Sequence, residues 1–285
     1  VSRLVRRAGV ALVAAFGLAA GIVAWNHQHM ETAIDTWRDR VAEAGAATPS
    51  PVPQAAALEA LPAPVRRYIA FAFPDGPVPA AATVTMTMAG DFRRPGATAF
   101  EPTTARQIAA AGVPALVFDA TTPLLPGVWA RVYDAYVDGS MAMNARVLST
   151  VSVVDLTGSP ELDRLSLRRW LIESPLYPMA LLPGGPVRWE PLDDRHARAV
   201  ATWRGMETAL VASFREDGAL VAFRAEADGD LTTPYHGSGE VATRDDYRIV
   251  DGVRLPHAFT VARAAGGETY PFWRGRITAI RVTRP

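Results

Sequence analysis

Three side chains stand where chemistry could use them. Arg169 and Glu173 lie four residues apart in a stretch of helical character, so they share one face. Arginine before glutamate is the weaker order for supporting a helix, which points to a structural ion pair fixing the helix on its neighbours. Asp134 sits mid-run in VWARVYDAYV, on the face that alternation gives to Val128, Ala130, Val132 and Tyr136. An acid buried there would have a perturbed pKa, as active-site acids do. A hydrogen-bonded structural aspartate, or an exposed strand face, gives the same pattern. A hydrolase would have to draw on Glu173, Asp134 or His196.

Other reactive signals are thin. The histidines are His27, His29, His196, His236 and His257; the first two follow the apolar span and are expected to face headgroups, and the other three show no H-E-x-x-H or H-x-H spacing, so no metal site is expected. His236-Gly-Ser-Gly239 lacks the G-x-S-x-G pattern and its strand-to-helix setting. G-x-G-x-x-G and P-loop patterns are missing, and no cofactor is expected. The chain has no cysteine, which removes thiol catalysis, disulfides and thiolate-bound zinc. All 29 basic residues are arginine, so Schiff-base and P-loop lysines are excluded too. A formal net charge of +0 gives no global claim on nucleic acid.

The remaining candidates are apolar and aromatic. Phe118, Trp129, Tyr133, Trp170, Tyr177, Leu181, Trp189 and Trp203 fall in the middle of the chain. They are read either as plain core or as the lining of a ligand cavity beneath a helix, because curved antiparallel sheets can enclose apolar ligands.

The elements that must position these residues begin with an anchor. Ala8 to Trp25 is uncharged and apolar, just long enough at about 1.5 Å per residue to cross a bilayer core. Arg3, Arg6 and Arg7 precede it and an acidic segment follows, so the N-terminus is expected in the cytoplasm and the rest outside. A cleaved signal peptide is the alternative and gives the same side. Gly17 and Gly21 form a G-x-x-x-G that would let two such helices associate. The chain opens with valine and its first methionine is Met30; Val1 is read as an alternative start. Residues 1–29 are thus taken as a transmembrane anchor and 30–54 as an amphipathic helix plus proline-rich linker. Residues 55–285 form a single extracytoplasmic domain.

That domain reads as α+β and mostly antiparallel. About ten or eleven alternating runs are separated by short turns such as Asp138-Gly139 and Asp251-Gly252. The expected shape is a curved or half-barrel sheet with one central inserted helix. Ser159 is placed to cap that helix, Pro160 suits its first position, and Glu161 and Asp163 favour its positive end. Leu167, Trp170 and Leu171 share a face. The uncharged, proline-flanked run Leu176 to Leu182 follows, and it must be buried or must cover something apolar.

Several spaced motifs carry a resemblance. They are LPAPVRRYI with FPDGPVP near residue 61, R-W-L-x-E-S at 169–174, P-M-A-L-L-P at 178–183 and V-R-W-E-P-L-D at 187–193. D-G-V-R-L-P at 251–256 and G-E-T-Y at 267–270 complete the set. Over residues 58–283 the chain resembles a bacterial membrane-anchored family known only as a domain of unknown function. Phe100 and Phe118 stand where tryptophan is expected in that family. The resemblance implies no activity. It implies a fold similar to the curved-sheet carriers that move lipoproteins and lipids across the bacterial envelope. The leading expectation is a membrane-anchored protein that binds an amphiphile or lipid without catalysis. An envelope structural or interaction protein, and a hydrolase, are the alternatives.

Overall fold

The computed structural model describes residues 3–76, 78–232 and 238–285. His236 lies outside the described residues. Helix α1 runs unbroken over Arg3–Ala47, followed by the short α2, Ala55–Glu59, and by α3, Ala63–Ala72. Strands β1 to β6 are Thr83–Phe92, Glu101–Ala110, Leu116–Leu125, Val128–Val137, Ser140–Val147 and Val151–Thr157. Helix α4, Pro160–Glu173, and two 3₁₀ turns, Ser174–Leu176 and Pro178–Leu181, come next. Strands β7 to β13 are Val187–Pro191, His196–Trp203, Met206–Phe214, Leu220–Arg224, Glu240–Val250, Val253–Ala265 and Glu268–Thr283.

All thirteen strands join one antiparallel sheet in the order β6-β5-β4-β3-β2-β1-β13-β12-β11-β10-β9-β8-β7. Each half is a meander, and the halves meet where β1 pairs with β13. The edges are therefore β6 and β7, which are consecutive in the chain. Everything between them must cross a face of the sheet, and α4 with its 3₁₀ turns makes that crossing.

The strand count exceeds the ten or eleven expected, for two local reasons. Strand β2 reads EPTTARQIAA, a run of small and polar residues with little strand propensity. Pairing on both sides holds it as a strand. The stretch from Met141 to Val154 is two strands, β5 and β6, split at Leu148-Ser149-Thr150. That turn lacks the usual glycine or asparagine, and Leu148 and Ser149 hold φ of 51° and 52°.

Alternation sorts the sheet into two faces. On the inner face Val84, Met86, Ala105, Ala109, Leu116, Ala120 and Tyr136 pack with α3, α4 and the 3₁₀ turns. On the outer face Ile108, Ala110, Val117, Ala135 and Val137 pack with Val41, against Trp37 and Ala44 of α1. Helix α1 thus has two parts. Its span before Asn26 is apolar and exposed, and Met30, Ile34 and Val41 are buried against the sheet. Its end is seated closely: a Cβ on Gly45 would lie 2.4 Å from the Ala82 carbonyl oxygen.

A charged network on the outer face fastens α1. Asp119 of β3 is 1% exposed and accepts hydrogen bonds from Arg106 at 3.1 Å and from Arg38 of α1. Arg131 of β4 pairs with it at 2.7 Å. Glu31 of α1 accepts from Arg131 at 2.6 Å and from Arg106 at 3.2 Å. Partial burial works to raise the Glu31 carboxyl, but Arg131 and Arg106 hold it below the usual carboxylate range. Asp119→Ala leaves Arg131 with half its neutralisation and is expected to cost roughly 3 kcal/mol, read from denaturant midpoints. Amide exchange in residues 30–47 should rise with it.

Candidate functional site

Helix α4 forms where its sequence signals place it. The Ser159 hydroxyl accepts from the Leu162 amide at 3.3 Å, Pro160 opens the first turn, and Asp163 accepts from the Met141 amide at 2.8 Å. Pro175 and Pro178 forbid continuation as an α-helix, so the chain descends as 3₁₀ turns. Leu176, Tyr177, Met179, Ala180, Leu181 and Leu182 are buried against the inner face. This strap is pinned through backbone carbonyls. The Tyr177 hydroxyl donates to Trp170 at 2.6 Å, Trp189 Nε1 donates to Leu181 at 3.0 Å, and Arg244 donates to Ile172 at 2.9 Å.

Beneath α4 lies a buried polar cluster. Gln107, Phe118 and Asp134 are successive register partners on β2, β3 and β4, so their side chains form a row on the inner face. Arg169 reaches that row from α4. It donates to Asp134, donates to Glu173 at 3.0 Å, and lies over the Phe118 ring at 4.9 Å. Gln107 donates to Glu173 at 2.7 Å. Arg244 of β11 enters from the other half of the sheet, over Phe259 at 5.7 Å.

The electrostatics follow from burial. Burial pushes the Asp134 carboxyl up, against the pull of Arg169, and neighbouring Glu173 adds to the rise. Burial works to lower the Arg169 pKa, but Asp134 and Glu173 outweigh it and raise it. Burial lowers Arg244 and raises the Tyr68 and Tyr177 hydroxyls. Five buried polar atoms here lack a hydrogen-bond partner among the described residues: Asp134 Oδ1, Arg244 Nε, Trp170 Nε1, Tyr68 Oη and Tyr136 Oη. Each such atom costs about 1–3 kcal/mol when left dry.

Further along the inner face, Glu240 of β11 is 1% exposed. Its carboxylate has the Arg168 guanidinium of α4 at 3.1 Å and no well-aligned hydrogen bond. Burial raises its pKa, and Arg168 only partly opposes the rise.

The residues singled out in the sequence do not share one site. Trp170 of α4, Tyr177 and Leu181 of the strap, and Trp189 of β7 belong to one inner-face core, with Trp189 stacked on Phe223 at 6.4 Å. Phe118 joins them through Arg169. Trp129 alternates onto the outer face, edge-on to His27 at 6.1 Å, and Tyr133 shares that face. Trp203 packs against both clusters. His196 is partly exposed and bonded to Asp193 at 2.9 Å, while Asp134 and Glu173 meet on Arg169. Gln107, Arg168, Glu240 and Arg244 were not legible as site residues. They sit in strand or helix runs with no motif, and only the sheet order brings Gln107, Glu240 and Arg244 to the face that α4, with Arg168, covers. Among the described residues no cluster of histidine and acidic side chains has metal-binding geometry. One open groove of about 480 Å³ lies across β1, β11, β12 and β13, lined by Asp91, Asp245, Arg274 and Arg276 among others.

Residues 59–281 match the model of DUF6920, a family of unknown function, and the chain belongs to that family. No curated protein matches the chain. Among solved structures, a domain described as an outer-membrane lipoprotein-sorting protein from Vibrio parahaemolyticus aligns at 9% identity. That alignment covers 70% of this chain and 85% of the other, at a TM-score of 0.35. A LolA-superfamily protein from Nitrosomonas europaea aligns at 9% identity, covering 79% and 95%, at a TM-score of 0.38. Likeness at this level carries nothing about function.

The Glu240 carboxyl supplies a pH test. Its folded pKa is raised, so the folded state binds the proton more tightly than the unfolded chain. Its stabilising contribution is present below the unfolded pKa, near 4.5, and is lost as pH rises through the folded value. Glu240→Gln should therefore melt higher than the parent at pH 7, with the gap closing toward pH 4. A gap that widens on acidification would show that the Arg168 pair outweighs the burial of the charge.

Proposed function

We propose that this member of the DUF6920 family is tethered to a membrane by the first part of α1 and binds an amphiphile without catalysis. The site is the inner face of the sheet, occupied here by the protein's own strap. The observation that carries this reading is the strap itself, an uncharged, proline-broken segment on the inner face, continuous with a helix that covers polar atoms left without a hydrogen-bond partner. An amphiphile would answer both needs. Its chain would take the apolar contacts of Leu176 to Leu182, and its polar head would bond Arg244 Nε and Asp134 Oδ1. The arginines ahead of the span, Arg3, Arg6 and Arg7, favour a cytoplasmic N-terminus and an extracytoplasmic domain.

A second reading has its own support. The strap fills the inner face in this structure, with Leu181 and Tyr177 fully buried, as a structural or interaction protein of the envelope would require. The hydrolase reading gains no such support. Asp134 and Glu173 do converge, but on one guanidinium that engages both, and His196 is bonded to Asp193 instead.

Native mass spectrometry separates the first two readings. The unit to produce is residues 26–285, which keeps the part of α1 that covers Ile108, Val117 and Ala135. A lipid-sized mass increment, removable by organic extraction, is expected. Preparations from several membranes that never carry one would leave the structural reading standing alone.

A further inference from the structure

We propose that one end of strands β3 to β6 seats on the surface of the bilayer that α1 enters, so that the domain sits rigidly on the membrane. The proposal rests on the reading that residues 8–25 span it.

The first observation is compositional. Ala120 to Ala130 carries no charged residue, and neither does Val147 to Val154, in a chain that is 20% charged. The sheet brings these two stretches to the same end, because Leu125 pairs with Val128, Ala130 with Val147, and Val147 with Val151. Their apolar side chains are left open to solvent: Leu125 is 69% exposed, and Val151 and Val153 are 61% exposed. An exposed apolar patch of this kind marks a contact surface.

The second observation identifies the occupant. Helix α1 meets the domain at this same end. Asn26 donates to the Thr150 hydroxyl at 3.3 Å, His27 Nδ1 lies 3.1 Å from the Ser149 hydroxyl, and the His27 ring packs edge-on to Trp129. Trp25, the last residue of the apolar run, is 73% exposed beside them, where an interfacial tryptophan belongs. Because α1 is one continuous helix, the residue that leaves the bilayer and the two uncharged turns are held at one level. In the β5–β6 turn Leu148 and Ser149 both hold the left-handed conformation, and α1 bonds directly to this turn. At the opposite end of the same strands the chemistry reverses. There Asp138 pairs with Arg40 and Arg204 at 3.3 Å each, a water-facing corner.

The depth is limited by the backbone. Strand β6 is a sheet edge with unpaired amides and carbonyls, which cannot enter hydrocarbon. The seat therefore lies among headgroups and the first methylenes, with Leu125, Val151 and Val153 as the inserted side chains.

The absence of cysteine makes the test direct. Single substitutions Leu125→Cys, Val153→Cys, Ser140→Cys and Val13→Cys are introduced in the full chain and labelled with an environment-sensitive nitrobenzoxadiazole. Each is reconstituted in vesicles of equal parts phosphatidylcholine and phosphatidylglycerol, with or without lipids bearing a nitroxide high on the acyl chain. Probes at 125 and 153 should be blue-shifted and quenched several-fold more strongly than the probe at 140, which should read as aqueous. If 125 and 153 behave like 140 while 13 is buried and blue-shifted, the seat is wrong and the anchor stands. Blue-shifted probes at 125 and 153 that lipid nitroxides do not quench would mean that protein, such as a second copy, covers this end. That outcome also overturns the seat. An aqueous probe at 13 removes the anchor, and the seat falls with it.

Discussion

The structure depends on one topological constraint: the two edge strands of a thirteen-stranded sheet are consecutive in the chain. The link from β6 to β7 must cross the sheet, and an antiparallel sheet with one open apolar face needs just such a cover. The crossing segment therefore serves as connection and core at once. Its needs shape the strands beneath it. Ala105, Ala109, Ala120, Ala197, Ala199, Ala201 and Ala212 line the inner face, small enough for Trp170, Tyr177 and Leu181 to reach the sheet. Truncation of such a large buried side chain costs about 3–5 kcal/mol, so the strap is a major part of the stability and not an ornament on it.

Arginine does the fastening on both faces. Outside, Arg38, Arg106 and Arg131 converge on Asp119; inside, Arg169 joins Asp134 to Glu173 while Arg244 holds the end of α4. Buried ion pairs contribute little net stability, because desolvation offsets attraction. What they provide is geometry. A planar guanidinium makes several directed bonds at once, and a slip in position leaves a buried charge unpaired. The two networks set where α1 and α4 lie on their faces, and apolar packing supplies the energy.

Local signals in the sequence were sufficient wherever local physics decides. Ser159 and Pro160 mark the start of α4, Asp138-Gly139 marks a hairpin, and the period of two in Thr83 to Met88 marks a half-buried strand, all as found. Where tertiary contact decides, the sequence was mute. Strand β2 has weak propensity because small residues are needed under α4 and α1, and the Leu148-Ser149 turn adopts a conformation that its residues resist. The polar cluster could not be read because Gln107, Asp134, Glu173 and Arg244 come from four separated elements. The aromatic set shows a different failure. Alternation already placed Trp129 and Tyr133 on the face opposite Asp134, but grouping residues by type set that parity aside.

The division of the sheet also limits how the strap can move. Helix α1 packs on β1 to β4 from outside, and α3 packs on β8, β9 and β12 from inside. The strap bridges these halves: Arg169 ties α4 to β4, and Arg244 of β11 ties its last turn. Lifting the strap from the β4 side separates Arg169 from Asp134, whose raised pKa makes it the easier carboxylate to neutralise. Lifting it from the β11 side strips the Ile172 carbonyl of its donor and leaves Arg244, whose Nε is already unpartnered and whose pKa is lowered, with Thr243 as its one hydrogen-bond partner and the Phe259 ring. Each opening unpairs a guanidinium, Arg169 in the first and Arg244 in the second, so the crossing segment is held to both halves of the sheet by a charge that has no cheap alternative partner.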